Sequence, residues 1–152
     1  MDPLNPSFAE EVAASFAQQP IMNLIGARLT LIYPGVVEIT LPYRTDLTQQ
    51  HGYLHAGVVT MIADSACGYA AYSLMPAGSE VLSVEFKVNL LRPARAETFV
   101  ARAEVIKAGR TLTVVRADVF GVAGNGDREL LATMQGTMIC LQNRELLQNR
   151  ER

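Results

Sequence analysis

The sequence predicts an α+β fold in which one curled antiparallel sheet of about six strands wraps around a single long central helix. Three observations predict it: a stretch from residue 56 to about 74 that lacks a solvated face, six β-rich segments, and turn residues between those segments. Because a helix that is apolar on every side must be covered nearly all round, the sheet has to curl around it.

An amphipathic helix is predicted in the N-terminal segment, residues 1–20. Apolar Phe8, Val12 and Phe16 recur every four residues among acidic and amide side chains, so they form one apolar stripe. Pro20 ends this helix, because a proline in a helix interior removes a backbone hydrogen bond. We expect the helix to pack on the edge of the domain.

A hairpin, a loop and the central helix follow in that order. Two β-rich runs within residues 27–43 are separated by the turn pair Pro34 and Gly35, which predicts the hairpin. Residues 44–54 are polar and contain glycine, which indicates a loop. From Ala56 onward the chain has the length and alanine content of a helix, and its small side chains would let the sheet approach closely.

Four more strands follow the central helix and are predicted to form an antiparallel meander. The breaks between them, at 92–96, 108–110 and 121–127, are rich in turn residues. The charged tail, residues 142–152, is expected to fray or to form a terminal helical turn. We therefore expect residues 1–152 to form a single domain.

Composition argues against several classes of protein. The net charge is −2 and the charged fraction is 18%, so no strong field attracts nucleic acid or an anionic membrane. Cys67 and Cys140 lack metal-ligand spacing and the N-terminus has no apolar signal core, so we expect a cytoplasmic protein without a metal site. Because a six-stranded sheet leaves exposed edges, we expect at least a homodimer and, beyond it, a homotetramer.

The start of the central helix is the first candidate for chemistry. Residues 52–54 include none of the usual helix caps, and His55 would cap only weakly, so the backbone amides of Ala56 and Gly57 are predicted to be left for a ligand. The positive end of a helix dipole stabilises a developing oxyanion. The sequence therefore predicts an oxyanion site at this end of the helix.

Asp64 is the second candidate, because it lies in a segment otherwise too apolar for a carboxylate without a role. It either acts in catalysis or is satisfied by hydroxyl groups or by an arginine such as Arg92 or Arg116. Ala56 and Asp64 are eight residues apart, so at about 1.5 Å per residue they lie roughly 12 Å apart along the axis. One reacting carbon cannot contact both in one chain, so a second subunit would have to supply the carboxylate.

A family resemblance runs through residues 49–65, QQHGYLHAGVVTMIADS. They resemble the central-helix signature of the hotdog-fold acyl-CoA thioesterases of the phenylacetate-degradation and 4-hydroxybenzoyl-CoA thioesterase type. That signature usually has Asn or Gln, then His-Gly-Gly, then Asp or Glu. Here His-Ala-Gly replaces His-Gly-Gly, so a methyl group at Ala56 is expected to narrow the acyl entrance while keeping the direction of its N–H.

Two further segments carry the same resemblance. Residues 82–94 resemble the long strand of the family that ends in Arg-Pro-Ala, and residues 108–111 resemble its Gly-Arg or Gly-Lys turn. The resemblance covers about residues 20–140 and implies the hotdog fold. It also implies an acyl-CoA thioesterase that hydrolyses aryl-, short- or medium-chain acyl-CoA to the free acid and CoA.

The resemblance implies roles for individual residues. Asp64 would be the base or nucleophile, and the backbone amide of Ala56 would polarise the thioester carbonyl. Gln49 would hold substrate or water, His55 would orient the loop or the carbonyl, and Ser83 would position water beside Asp64. Each has a plainer interpretation: Gln49 as an ordinary loop residue, His55 as a helix cap, and Ser83 as a sheet-face hydroxyl.

Coenzyme A would be part of the substrate, and we expect no cofactor. Strand ends and turns carry basic residues that could bind its phosphates, because arginine donates forked hydrogen bonds to phosphate. The candidates for binding substrate or CoA are Val84, Arg92, Pro93, Lys107, Gly109, Arg110 and Thr111.

Two alternative functions stay open. Hotdog hydratases use an Asp-x4-His pair, and Asp46 and His51 have that spacing. However, the Asn-Pro that precedes the histidine in those enzymes is missing here, and Asp64 would have no role. The other alternative is a module that binds acyl-CoA without cleaving it.

Overall fold

The computed structural model of the chain describes residues 1–142, so all of the charged tail beyond Gln142 lies outside the described residues. A 3₁₀ turn spans Thr45–Leu47. The helices are α1 (Phe8–Ala17), α2 (Pro20–Ile25) and α3 (Ala56–Tyr72), and the strands are β1 (Arg28–Tyr33), β2 (Val36–Pro42), β3 (Glu80–Leu90), β4 (Thr98–Ala108), β5 (Leu112–Val122) and β6 (Arg128–Leu141).

One six-stranded antiparallel sheet, in the order β1-β2-β4-β5-β6-β3, packs against α3. This arrangement confirms the predicted α+β fold with a central helix. It corrects the predicted meander of four strands, because β3 pairs with β6 and not with β4. The sheet leaves one side of α3 half-buried, and that side carries Asp64, Ser65 and Gly68. Within residues 1–142, none of the helices combines the length and apolar character that crossing a membrane requires.

The N-terminal segment contains two helices where the sequence predicts one. Pro20 ends α1 as expected, but it also occupies the first position of α2, where a missing N–H needs no partner. Gly26 ends α2 in the left-handed conformation, with φ 76°. The six residues of α2 are too few to show a helical period, which is why the pattern of apolar residues did not predict this helix.

The predicted hairpin of β1 and β2 is tied directly to the end of α3. Gly35, in the hairpin turn, has φ 78° and donates its backbone N–H to Ser73 Oγ at 2.8 Å. Ser73 Oγ in turn donates to the carbonyl oxygen of Ala70 at 2.7 Å. Because Ser73 is fully buried, its hydroxyl satisfies two backbone groups that water cannot reach.

Strand β3 is the exposed edge of the sheet beside α3. Each of its residues is at least partly exposed, and its apolar side chains are unusually open: Leu82 is 48% exposed, Val84 55%, Phe86 42% and Leu90 53%. One long side of β3 pairs with β6, and the other side ends the sheet. An open edge with apolar side chains is a surface on which another strand can pair.

We expect Ser73→Ala to destabilise the fold by about 1–3 kcal/mol, because the N–H of Gly35 would be left buried without a partner. Urea denaturation followed by circular dichroism measures this change. Ser7→Ala is the matched control, since Ser7 is exposed and makes no side-chain cap to α1. Equal midpoints for the two variants would contradict the expectation.

Candidate active site

The start of α3 is capped by His55, the residue that precedes the helix. His55 Nδ1 accepts the backbone N–H of Gly57 at 2.9 Å, and its own backbone N–H donates to Leu47 O at 3.0 Å. A Cβ at position 57 would lie 3.0 Å from Nδ1, so the glycine lets the imidazole ring approach the helix. The plainer interpretation of His55, a helix cap, therefore describes its contact in this chain.

This contact corrects the expectation that the amides of both Ala56 and Gly57 are left for a ligand. The Gly57 amide already donates to His55. Within residues 1–142, the Ala56 N–H has no hydrogen-bond acceptor. Ala56 is exposed, and its amide is the donor that remains at the positive end of the α3 dipole.

Ala56 borders a cavity of about 470 Å³, which we call the helix-start cavity. Its walls are mostly apolar but include polar side chains. They include Gln49, Tyr53, Val59, Leu90, Arg92 and Pro93. Because one exposed amide opens onto this apolar space, the cavity can hold a carbonyl group with an extended chain behind it.

Gln49 stabilises the loop beside this cavity. Its backbone N–H donates to Tyr53 O at 2.9 Å, its carbonyl oxygen accepts from Gly52 at 3.0 Å, and its side-chain oxygen accepts the backbone N–H of His51. Gly52 has φ 81°, a left-handed conformation that suits glycine. Within residues 1–142 the side-chain NH₂ of Gln49 has no acceptor, so it can donate to a ligand in the cavity.

Asp64 is half-buried on α3, two turns beyond Ala56, and faces the beginning of β3. Ser83 Oγ donates to Asp64 Oδ1 at 2.7 Å and also lies 3.4 Å from Met138 Sδ. Among residues 1–142 no arginine pairs with Asp64. Arg92 pairs with Glu129 at 3.1 Å, and Arg116 pairs with Glu104. The carboxylate is thus oriented by one hydroxyl and keeps its other oxygen available.

Asp64 and Ser83 border a second cavity of about 240 Å³, which we call the Asp64 cleft. It reaches the N-terminal segment, because Ser15 of α1 and Gln19, which precedes α2, also line it. These two residues come from a segment far away in sequence, and no motif pointed to them. The mid-helix glycine Gly68 lines the same cleft.

The two cavities lie at opposite ends of β3. Leu90 borders the helix-start cavity, whereas Glu80 and Ser83 border the Asp64 cleft. A single chain therefore does not bring Ala56 and Asp64 to one reacting atom, in agreement with their separation along α3.

The candidate CoA-binding residues are also divided within one chain. Arg92 and Pro93 border the helix-start cavity, whereas Gly109 and Arg110 lie near the end of α3, beside a small cavity of about 90 Å³. The remaining candidates are exposed on strands or turns. They are Val84, Lys107 and Thr111.

Cys67 lies near Asp64 but has no nucleophilic character. Burial, together with the negative charge of Asp64, raises the pKa of the Cys67 thiol to about 12. The thiol therefore stays protonated at neutral pH, as expected of a buried apolar cysteine.

Comparisons with known proteins identify the family of this chain. Residues 51–125 match the family model of the thioesterase superfamily. A relative in Saccharolobus solfataricus, named as a putative esterase, is 30% identical over 129 residues, which cover 85% of this chain and 83% of the relative. A 1,4-dihydroxy-2-naphthoyl-CoA hydrolase of Listeria monocytogenes is 27% identical over 94 residues, or 62% of this chain and 76% of the hydrolase.

Solved structures show the same architecture. A thioesterase family protein from Silicibacter pomeroyi has a TM-score of 0.87 and 51% sequence identity, over 90% of this chain and 99% of that protein. The PaaI protein of the E. coli phenylacetic acid degradation operon has a TM-score of 0.78 over 90% of this chain and 94% of that one. At 20% identity, the likeness to PaaI shows the fold alone.

We expect His55→Ala to lower the free energy of unfolding by about 0.5–2 kcal/mol, because the first turn of α3 loses its cap. His55→Asn should restore most of the loss, since an asparagine oxygen caps the same amide. Chemical denaturation measures both variants, with the exposed His51→Ala as the control. A fully stable His55→Ala protein would contradict the capping role.

Proposed function

This chain belongs to the thioesterase superfamily and is a hydrolase of thioester bonds, and we propose that it cleaves aryl-, short- or medium-chain acyl-CoA to the free acid and CoA. One observation carries this proposal: an unpartnered helix-start amide and an oriented carboxylate border cavities at opposite ends of one exposed edge strand. Both groups are required for thioester hydrolysis, and an apolar space lies beside the amide.

The active unit in this proposal is a homodimer in which β3 of one protomer pairs antiparallel with β3 of its partner. A two-fold axis through the middle of β3 places the end of one strand beside the beginning of the other. The helix-start cavity of one protomer, bordered by Leu90, would then meet the Asp64 cleft of the other, bordered by Ser83. Each dimer would contain two such composite sites, and a homotetramer would join two dimers.

The proposed chemistry follows from the groups at each composite site. The thioester carbonyl oxygen would accept the Ala56 N–H, which stabilises the negative charge that develops on it. A water molecule held by Ser83 and Asp64 would attack the carbonyl carbon and give its proton to the carboxylate. The C–S bond would then break, and the CoA sulfur would take up that proton.

Asp64 could also act first as a nucleophile through its second oxygen. Its attack would release CoA and form a mixed anhydride, which water would hydrolyse to regenerate the carboxylate. In both routes Gln49, at the opening of the helix-start cavity, would donate to the substrate. The proposed contacts for CoA and the substrate are Val84, on the edge strand, and Arg92, Pro93, Lys107, Gly109, Arg110 and Thr111.

The hydratase alternative loses support from the structure. Asp46 is exposed and forms an ion pair of 2.6 Å with Arg44. The hydrogen bond from Arg44 lowers the pKa of the Asp46 carboxyl, which favours a paired carboxylate over a proton-transferring one. The spacing between Asp46 and His51 is therefore better explained by the loop that contains them.

We expect Asp64→Asn to lower kcat roughly 10²–10⁴-fold, because amide replacement removes the proton acceptor while keeping the shape of the side chain. Thiol release from hexanoyl- and benzoyl-CoA, followed with a thiol reagent, measures the change. Asp46→Asn is the control and should keep full activity. Full thioesterase activity in Asp64→Asn would contradict the proposal, and hydration of crotonyl-CoA would favour the hydratase instead.

We expect Ala56→Pro to lower kcat roughly 10²–10³-fold without unfolding the protein, because it removes one oxyanion donor. Proline suits the first position of a helix, and His55 before it already has an extended conformation, with φ −60° and ψ 136°. Circular dichroism and thiol release from hexanoyl-CoA measure the two parts of this expectation.

Mixed dimers test whether the site is shared. A dimer of one Ala56→Pro chain and one Asp64→Asn chain, isolated with two different tags, should regain about half the wild-type activity, since one of its two composite sites is intact. A dimer of Asp64→Asn with the double variant is the control and should stay inactive. A site confined to one chain would give no recovery in either dimer.

A further inference from the structure

Gly68 leaves an unfilled gap in the middle of α3. A Cβ built at this position meets no atom within 4 Å among the described residues. Glycine weakens a helix interior relative to alanine, so the fold would gain from a methyl group that fits without any clash. Packing among the described residues therefore does not explain why position 68 is a glycine. The Asp64 cleft, which Gly68 lines, gives the reason, because a side chain there would fill part of it.

The gap lies directly along the helix from the carboxylate. Asp64, Gly68 and Tyr72 are spaced by four residues, so they share one face of α3 and all line the Asp64 cleft. The Cβ positions of residues four apart in a helix are about 5–6 Å from each other. A chain that leaves a carbonyl carbon beside Asp64 can thus run over Gly68 within the cleft.

The far wall of the cleft is closed by α1. The buried Tyr69 hydroxyl lies 3.3 Å from Ser15 Oγ and accepts a hydrogen bond of 3.2 Å from Gln19 Nε2. Phe16 packs edge-on against the Tyr69 ring, with centroids 5.7 Å apart. At about 240 Å³, the enclosed space is smaller than the roughly 300–1,000 Å³ of sites that bury drug-sized ligands.

The charges of the cleft decide which part of the substrate it can hold. Among residues 1–142, its lining includes the carboxylate of Asp64 and contains no lysine or arginine. CoA phosphates would be repelled here, whereas Arg92 borders the helix-start cavity.

We infer that the Asp64 cleft holds the acyl group, that the missing side chain of Gly68 sets its length limit, and that the cleft selects compact, uncharged acyl groups. This inference rests on the proposed thioesterase function. It assigns the opposite, helix-start cavity to the pantetheine arm of CoA. The N-terminal segment becomes part of the specificity pocket through Ser15 of α1 and Gln19, which precedes α2.

Gly68→Ala and Gly68→Leu test the length limit. The alanine variant should raise Tm by roughly 2–4 °C, because it removes the helix penalty of glycine. Both variants should lower kcat/KM for hexanoyl-CoA at least about tenfold more than kcat/KM for propionyl-CoA, since a methyl group in a pocket discriminates at this scale. Ala13→Leu adds bulk on the exposed side of α1, outside the cleft. This control variant should keep the wild-type ratio of hexanoyl-CoA to propionyl-CoA hydrolysis.

A pair of substrates of equal length tests the charge selection. Succinyl-CoA differs from butyryl-CoA by a terminal carboxylate, and like charges in a confined site cost binding energy, so its kcat/KM should be at least about tenfold lower. Equal rates for the two substrates would overturn the selection for uncharged acyl groups.

The outcomes separate this inference from the function on which it rests. If wild-type protein releases no CoA from any of these substrates, the proposed thioesterase function fails. If wild type is active and Asp64→Asn is not, but the Gly68 variants keep the wild-type ratio of hexanoyl to propionyl hydrolysis, the inference alone is overturned. An equal loss of kcat/KM for hexanoyl-CoA and propionyl-CoA would also overturn it, because the cleft would then not discriminate acyl groups by length.

Discussion

The rigid spacing between the first amide of α3 and Asp64 is the constraint on which the rest of the site depends. A helix fixes this spacing at roughly 12 Å along its axis, and neither group can move toward the other without breaking backbone hydrogen bonds. In the proposed function, the chain therefore presents two half-sites, one at each end of β3. The open edge between them is also the most apolar exposed part of the sheet, so one strand would serve both association and catalysis in the proposed dimer.

Much of the fold follows from the sequence, because its signals are local and strong. The long apolar helix, the hairpin around Pro34 and Gly35, and the four later strands all have patterns that span many residues. The second helix, α2, cannot be predicted from a periodic pattern, because its six residues hold less than two helical turns. Pro20 carries two functions at once, ending one helix and beginning the next, and a sequence pattern shows only the first clearly.

The candidate site is less predictable, because its contacts join distant segments. Asp64 and Ala56 are marked by the motif, but the bond between Asp64 and Ser83 depends on how β3 lies beside α3. The contribution of the N-terminal segment to the Asp64 cleft depends on contacts of Ser15 and Gln19 with Tyr69, across about fifty residues of chain. The expectation that the Gly57 amide is left for a ligand is wrong for a stereochemical reason: the glycine makes room for the imidazole ring of His55, which accepts its N–H and caps the helix.

The open edge of β3 would also affect the protomer before it forms the proposed dimer. A newly made protomer exposes a row of free backbone groups flanked by Leu82, Val84 and Phe86, which is a template for unwanted strand pairing. In the proposed dimer, its maturation would be a second-order process, faster at high expression and slower at low expression. Chaperones and proteases would compete with the partner protomer for the same strand. The fraction of protomers that form active dimers would therefore depend on the concentration of this protein in the cell.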